Sequence, residues 1–147
     1  MKKTAIALRG KANAGKTTTI RLVYDRLLER GAEVVSNPPR QKNLRATIVA
    51  FDGVKIGFLS IAEMFNGFKK YLDELVGKKC VVIVCSTRST GETIGIVEGL
   101  EPPYHVVWIE KERMAKGKQA IDDDEKADEI IEEIDNATGK VSGRMHP

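Results

Sequence analysis

The chain opens with a short apolar run, Thr4 to Leu8, ahead of Gly10, and this pattern reads as a buried strand. The period then changes. Between Thr17 and Arg30 the residues Ile20, Val23, Leu27 and Leu28 recur at helical spacing, and Gly31 suits the C-terminal stop. Glu33 to Ser36 has the pattern of a second strand, closed by Pro38-Pro39, whereas Arg40 to Arg45 is basic without apolar periodicity and is expected to be an exposed loop. Thr47 to Phe51 and Lys55 to Ser60 flank Asp52-Gly53, a strong hairpin signal.

Phe65, Phe68, Leu72 and Leu75 then mark one side of a helix ending at Gly77, with Asn66-Gly67 an alternative turn that would delay its start. The run Cys80 to Cys85 is the most apolar of the chain and the candidate for a central strand buried on both faces. Ser89-Thr90-Gly91-Glu92 has the spacing of a capping box and predicts a helix to about Leu100. His105 to Glu110 is a further strand after Pro102-Pro103. A last helix is predicted from the capping residues Asp122 to Glu125, with Ala127, Ile130, Ile131 and Ile134 as its inward stripe before Gly139. Strands alternating with helices predict an α/β domain over residues 1–140, a mainly parallel sheet with one antiparallel hairpin, and a tail over 141–147.

Composition adds limits. Of 147 residues, 41% are apolar and 31% charged, the balance of a globular domain. No apolar run approaches the roughly 20 residues of a membrane span, and the apolar stretch after the N-terminal lysines ends at Arg9, too short for a signal peptide, so a cytoplasmic location is expected. If Cys80 to Cys85 is one strand, the odd separation of the two cysteines points them to opposite faces and rules out a bridge between them. His105 and His146 stand at no metal spacing to them.

Net charge is +3, unevenly spread: residues 121–135 carry nine carboxylates against Lys126, a net −8, which leaves +11 for the rest. A basic body suits a phosphate-bearing ligand. The acidic helix beside it offers a means of self-association or of docking a charged protein partner. Nucleic acid is outside the main expectation, because no helix-turn-helix or aromatic stacking motif is present.

The sharpest chemical signal is Gly10-Lys11-Ala12-Asn13-Ala14-Gly15-Lys16-Thr17, which fits G-x-x-x-x-G-K-[ST] at every fixed position. Gly10 and Gly15 let the backbone wrap closely, and the loop N–H groups with the following helix start form a concave positive site for an anion. Lys16 is placed to reach the β- and γ-phosphates, Thr17 to give its hydroxyl to Mg²⁺, and Thr18 to lie near the α-phosphate. Through this Walker A motif the chain resembles P-loop NTPases and kinases. That resemblance implies a three-layer α/β/α P-loop fold, Mg²⁺-dependent binding of ATP or GTP, and chemistry at the γ-phosphate.

Elsewhere the pattern of that family breaks. Neither candidate strand ends in a Walker B aspartate: one ends Phe58-Leu59-Ser60, the other Val84-Cys85-Ser86. Glu63 is the nearest substitute, as a magnesium or water-orienting carboxylate, although Ser60-Ile61-Ala62-Glu63 equally fits a capping box. Asp52 is a weaker candidate, since an Asp-Gly turn needs aspartate for backbone reasons alone. The polar segment Ser86 to Gly91 is expected beside the phosphate loop, with Arg88 a candidate γ-phosphate sensor or clamp on a second substrate. Lys111, Arg113, Lys116 and Lys118 bear a superficial similarity to a kinase lid, but alternate with Glu110 and Glu112 and read better as a solvated loop.

No Asn-Lys-x-Asp is present to read guanine, so ATP is the favoured nucleotide. Three functions follow: an ATPase using Lys16, Thr17, Glu63 and Arg88; a small nucleotide or nucleoside kinase; or a nucleotide-gated binding module with little intrinsic turnover.

Overall fold

In the computed structural model, residues 2–40, 43–60 and 65–139 are described. Ten elements follow one another: β1 (Thr4–Arg9), α1 (Lys16–Glu29), β2 (Glu33–Ser36), β3 (Leu44–Phe51), β4 (Val54–Ser60), α2 (Phe65–Gly77), β5 (Val82–Thr87), α3 (Glu92–Glu98), β6 (His105–Glu110) and α4 (Gln119–Ala137). The strands form one sheet in the order β2-β3-β4-β5-β1-β6. β1 runs parallel to β5 and β6, and β4 parallel to β5, while β3 is antiparallel to both of its neighbours. The expected α/β architecture and the Asp52-Gly53 hairpin are therefore present, within a mainly parallel sheet.

Alternation along the central strands creates two cores. Ile6, Leu8, Val82 and Val84 face one side, where they meet Ile20, Val23 and Leu27 of α1 and Ile130, Ile131 and Ile134 of α4. Ala5, Ala7, Ile83 and Cys85 face the other, against Phe68, Leu72 and Leu75 of α2 and Val97 of α3. β5 is buried along its whole length, as its unbroken apolar pattern predicts for an interior parallel strand. Gly57 allows α2 close to β4, since a Cβ there would lie 2.6 Å from a methyl of Leu75 and 3.0 Å from Cys80 Sγ.

Several sequence expectations are corrected. Cys80 precedes β5, and both cysteines pack on the α2/α3 side rather than on opposite faces, because the two-residue period does not begin until Val82. Burial pushes the Cys80 thiol up to about 11 and that of Cys85 to about 12, which makes both poor nucleophiles. Leu44 and Arg45 belong to β3 rather than to a loop. Gly91, at φ 102°, caps α3 without a side-chain hydrogen bond, so the capping box is not formed. Instead Thr93 Oγ1 accepts from the Arg88 N–H at 3.2 Å. α4 starts at Gln119, which places Asp122 and Asp123 inside its first turns rather than at the cap. The tail over 141–147, His146 and the possible capping box ending in Glu63 lie outside the described residues.

Candidate functional site

The loop between β1 and α1 stands at the carboxyl end of the sheet, framed by the ends of the two strands that flank β1. On one side the Gly10 N–H donates to the Thr87 carbonyl at 3.2 Å. On the other the Lys111 N–H donates to the Arg9 carbonyl at 2.7 Å. Asn13 at φ 64° and Gly15 at φ 90° turn the backbone through left-handed positions, the kind of alternation that gathers N–H groups into an anion-binding concavity. Gly15 then caps α1, and Thr19 secures the first turn through N–H and Oγ1 donations to the Gly15 carbonyl at 2.9 and 2.8 Å.

Lys16 crosses this loop. Its ammonium donates to the Gly10 carbonyl at 2.5 Å and to the Thr87 carbonyl at 2.6 Å. Two of its three donors are so engaged and one remains for a ligand. Neither partner is a carboxylate, so burial, followed by the positive charge of Arg88, lowers the Lys16 pKa to about 8. An anion in the loop would supply the missing countercharge. Thr17 is half-buried, Thr18, Lys11, Ala12 and Asn13 are exposed, and Ala14 is buried. Arg88, itself exposed, is brought near Lys16 as the sequence led us to expect.

Behind the loop is a constellation that sequence reasoning missed. Lys111, 1% exposed, donates to the Ala14 carbonyl at 2.8 Å and to Asp122 Oδ2 at 2.8 Å, and forms an ion pair with Asp123 Oδ1 at 2.7 Å. Two donated hydrogen bonds and two carboxylates compensate this buried ammonium, as its burial requires. Gln119 Nε2 joins it, donating to the same Ala14 carbonyl at 3.1 Å and to Asp123 Oδ1 at 2.8 Å, while Gln119 Oε1 accepts the Met114 N–H at 3.0 Å. Because a trans peptide points its C=O and N–H in opposite directions, holding the Ala14 carbonyl rearward aims the Gly15 N–H away from Lys111.

Lys111 is thus not part of a solvated basic loop. It was illegible because its partners are on α4, and only the placement of β6 beside β1 brings α4 behind the β1–α1 loop. The same contacts explain the glycines. A Cβ on Gly10 would lie 2.1 Å from the Lys111 carbonyl oxygen, and one on Gly15 would lie 2.4 Å from Asp123 Oδ1.

The candidate acids fare differently. Asp52 lies in the β3–β4 turn, at the end of the sheet opposite the β1–α1 loop, with φ 51°, where an Asp-Gly turn needs aspartate for backbone reasons. Glu63 is outside the described residues. β5 ends in Ser86-Thr87, and Ser60, at the end of β4, accepts the Leu44 N–H on its hydroxyl at 3.3 Å. Among the described residues no group of three or more His, Cys, Asp or Glu side chains could hold a metal ion, and no helix is long and apolar enough to cross a membrane. For Mg²⁺, the donor available at the loop is the Thr17 hydroxyl, a hard oxygen that suits a cation otherwise held by phosphate and water. No protein-family model, curated protein or solved structure matches the chain.

Proposed function

We propose that this chain is a P-loop protein that binds the triphosphate of a nucleotide, with ATP favoured, in Gly10 to Thr17 and hydrolyses its γ-phosphate. The observation that carries the reading is Lys16: a half-buried ammonium without an acidic partner among the described residues, held across a left-handed loop at the head of a helix. The loop N–H groups and the start of α1 would bind the β-phosphate, and Lys16 would bridge β- and γ-oxygens. Thr17 would hold Mg²⁺, whose charge neutralises the phosphates. Arg88, from the loop after β5, would oppose the charge that develops as the γ-phosphate departs, and Glu63 is the candidate to orient the attacking water.

A second reading, a nucleotide-gated module with little turnover, is favoured by one observation. The strands β4 and β5 end in Ser60 and Thr87 rather than in a carboxylate. Phosphorus NMR of the protein with Mg·ATP separates the two, using Lys16→Ala as control and adding nucleosides and nucleoside monophosphates in a parallel sample. Inorganic phosphate released by the parent chain and absent in Lys16→Ala is the expected result. Binding without release supports the gated module, and a new phosphate ester in the parallel sample identifies a kinase. Absence of any nucleotide binding removes the P-loop reading.

A further inference from the structure

Beside β3 and α2 is a cleft of about 340 Å³ lined by Asn37, Pro38, Arg40, Arg45, Tyr71 and Glu74. That volume lies in the range of small-molecule sites. Its strand, β3, is three positions from β1 in the sheet, about 14 Å at the usual strand spacing. By register Arg45 is level with Leu59, Leu59 with Cys85, and Cys85 with Ala7 in the middle of β1.

A β-bulge builds the cleft. Leu44, Val49 and Phe51 all face the α1/α4 side, whereas Ala46 and Ile48 face α2. In an unbroken strand Leu44 and Val49, five apart, would take opposite faces. The extra residue lies where the register shifts between Arg45 and Thr47, and buried Ala46 adopts φ 54°, unusual for a residue with a side chain. The bulge turns Arg45 toward α2, beside Tyr71 and Glu74; regular pleating would have sent it to the other face.

The surrounding bonds fix this arrangement. Asn37 Nδ2 donates to the Ala46 carbonyl at 3.0 Å and to Glu74 Oε2 at 2.7 Å, and Thr47 Oγ1 donates to the Asn37 carbonyl at 2.6 Å. Gly67, one turn before Tyr71, leaves room for the ring to lie back along α2, since a Cβ would be 3.1 Å from its edge. Glu74 is held ionised chiefly by the Asn37 hydrogen bond, and its neighbouring cations are Lys78 and Lys70. Among the described residues, therefore, Arg40 and Arg45 line the cleft without a carboxylate partner.

We propose that this cleft is a second anion site, distinct from the phosphate loop, taking a small molecule that bears a phosphate or carboxylate group and a hydrogen-bond donor. The guanidinium forks of Arg40 and Arg45 match a planar or tetrahedral oxyanion. Tyr71 offers a flat face to the body of the ligand, and Glu74 accepts from its donor group. The site does not depend on the nucleotide reading.

Arginine Nε–Hε and Tyr71 ring signals, followed by NMR during titration with inorganic phosphate, phenyl phosphate and benzoate, test the site. The titrations are run on the parent chain and on Lys16→Ala. Saturable shifts with the same midpoint in both, weakened at least tenfold by Arg45→Gln, are expected. Tighter phenyl phosphate identifies a phosphate ligand, and tighter benzoate a carboxylate. Linear shifts without saturation, binding unaffected by Arg45→Gln, or binding that disappears in Lys16→Ala overturns the proposal. Loss of Mg·ATP binding is read separately and concerns only the phosphate loop.

Discussion

Lys16 and Lys111 have the same ionisable group and opposite electrostatic settings. Lys111 is compensated by two carboxylates and a carbonyl; among the described residues Lys16 has carbonyl partners and a nearby arginine. The lowered pKa of Lys16, about 8, sets a pH dependence. A phosphate ligand raises that pKa, so the binding contributed by the charged form is complete below pH 8. It is lost as pH rises from about 8 toward the pKa of the bound state, by up to about tenfold per unit. Calorimetry at pH 8.5 in buffers of different ionisation enthalpy should show proton uptake on Mg·ATP binding, and no such uptake in Lys16→Ala.

For Lys111→Met the expectation concerns stability. Removing one partner leaves buried Asp123, with half-buried Asp122 beside it, around an apolar side chain, at a cost of about 3–5 kcal/mol, measurable by urea unfolding. A loss below about 1 kcal/mol would show that water or rearrangement replaces the ammonium.

The charge asymmetry between α4 and the rest of the chain is resolved between elements. Arg26 of α1 pairs with Asp124 and, at 2.8 Å, with Asp128, and Arg30 pairs with Asp135 at 3.4 Å. Together with Lys111, these contacts direct much of the acidic helix toward the chain's own cations. Arg26→Ala should nevertheless cost only about 1 kcal/mol, because Asp124 and Asp128 are more than half exposed and such pairs are weak in water. Denaturation at low and high salt would check this, with the difference between parent and variant shrinking as salt rises. Gly57→Ala tests the α2 layer, where the added methyl must displace Leu75 and Cys80. A loss of about 1–3 kcal/mol is expected for overpacking of this kind, and an unchanged midpoint of unfolding would mean that α2 shifts freely.

At the scale of the molecule, nucleotide binding to the folded state alone should raise its stability. At a ligand concentration of 100 times Kd the gain is about 2.7 kcal/mol, which for a chain of this size means a rise in Tm of roughly 5–10 °C. Thermal unfolding with and without Mg·ATP measures it, and Lys16→Ala should remove the shift. A rise of the same size in the variant would place the stabilising nucleotide elsewhere. The two concavities differ in place: the Gly10–Thr17 loop follows the carboxyl end of β1, whereas Arg45 of the cleft is level with mid-strand Cys85 and Ala7.

Much was legible in the sequence because it depends on local period and spacing. The apolar runs of β1 and β5, the helical stripes of α1, α2 and α4, the Asp52-Gly53 turn and the fixed positions of the Gly10–Thr17 motif are all written within short stretches of chain. Side chains whose roles depend on strand order were not. Lys111 reads as one more surface lysine until β6 lies beside β1 and α4 closes behind the loop, where burial forces its ammonium to find Ala14, Asp122 and Asp123. Arg45 reads as part of a basic loop until a bulge reverses its face. Sequence by itself determined the period of each element and the spacing of Gly10, Gly15, Lys16 and Thr17 on which the proposed function rests. Tertiary structure decided which distant charges meet, because desolvation and pairing act between residues that the sheet, not the chain, makes neighbours.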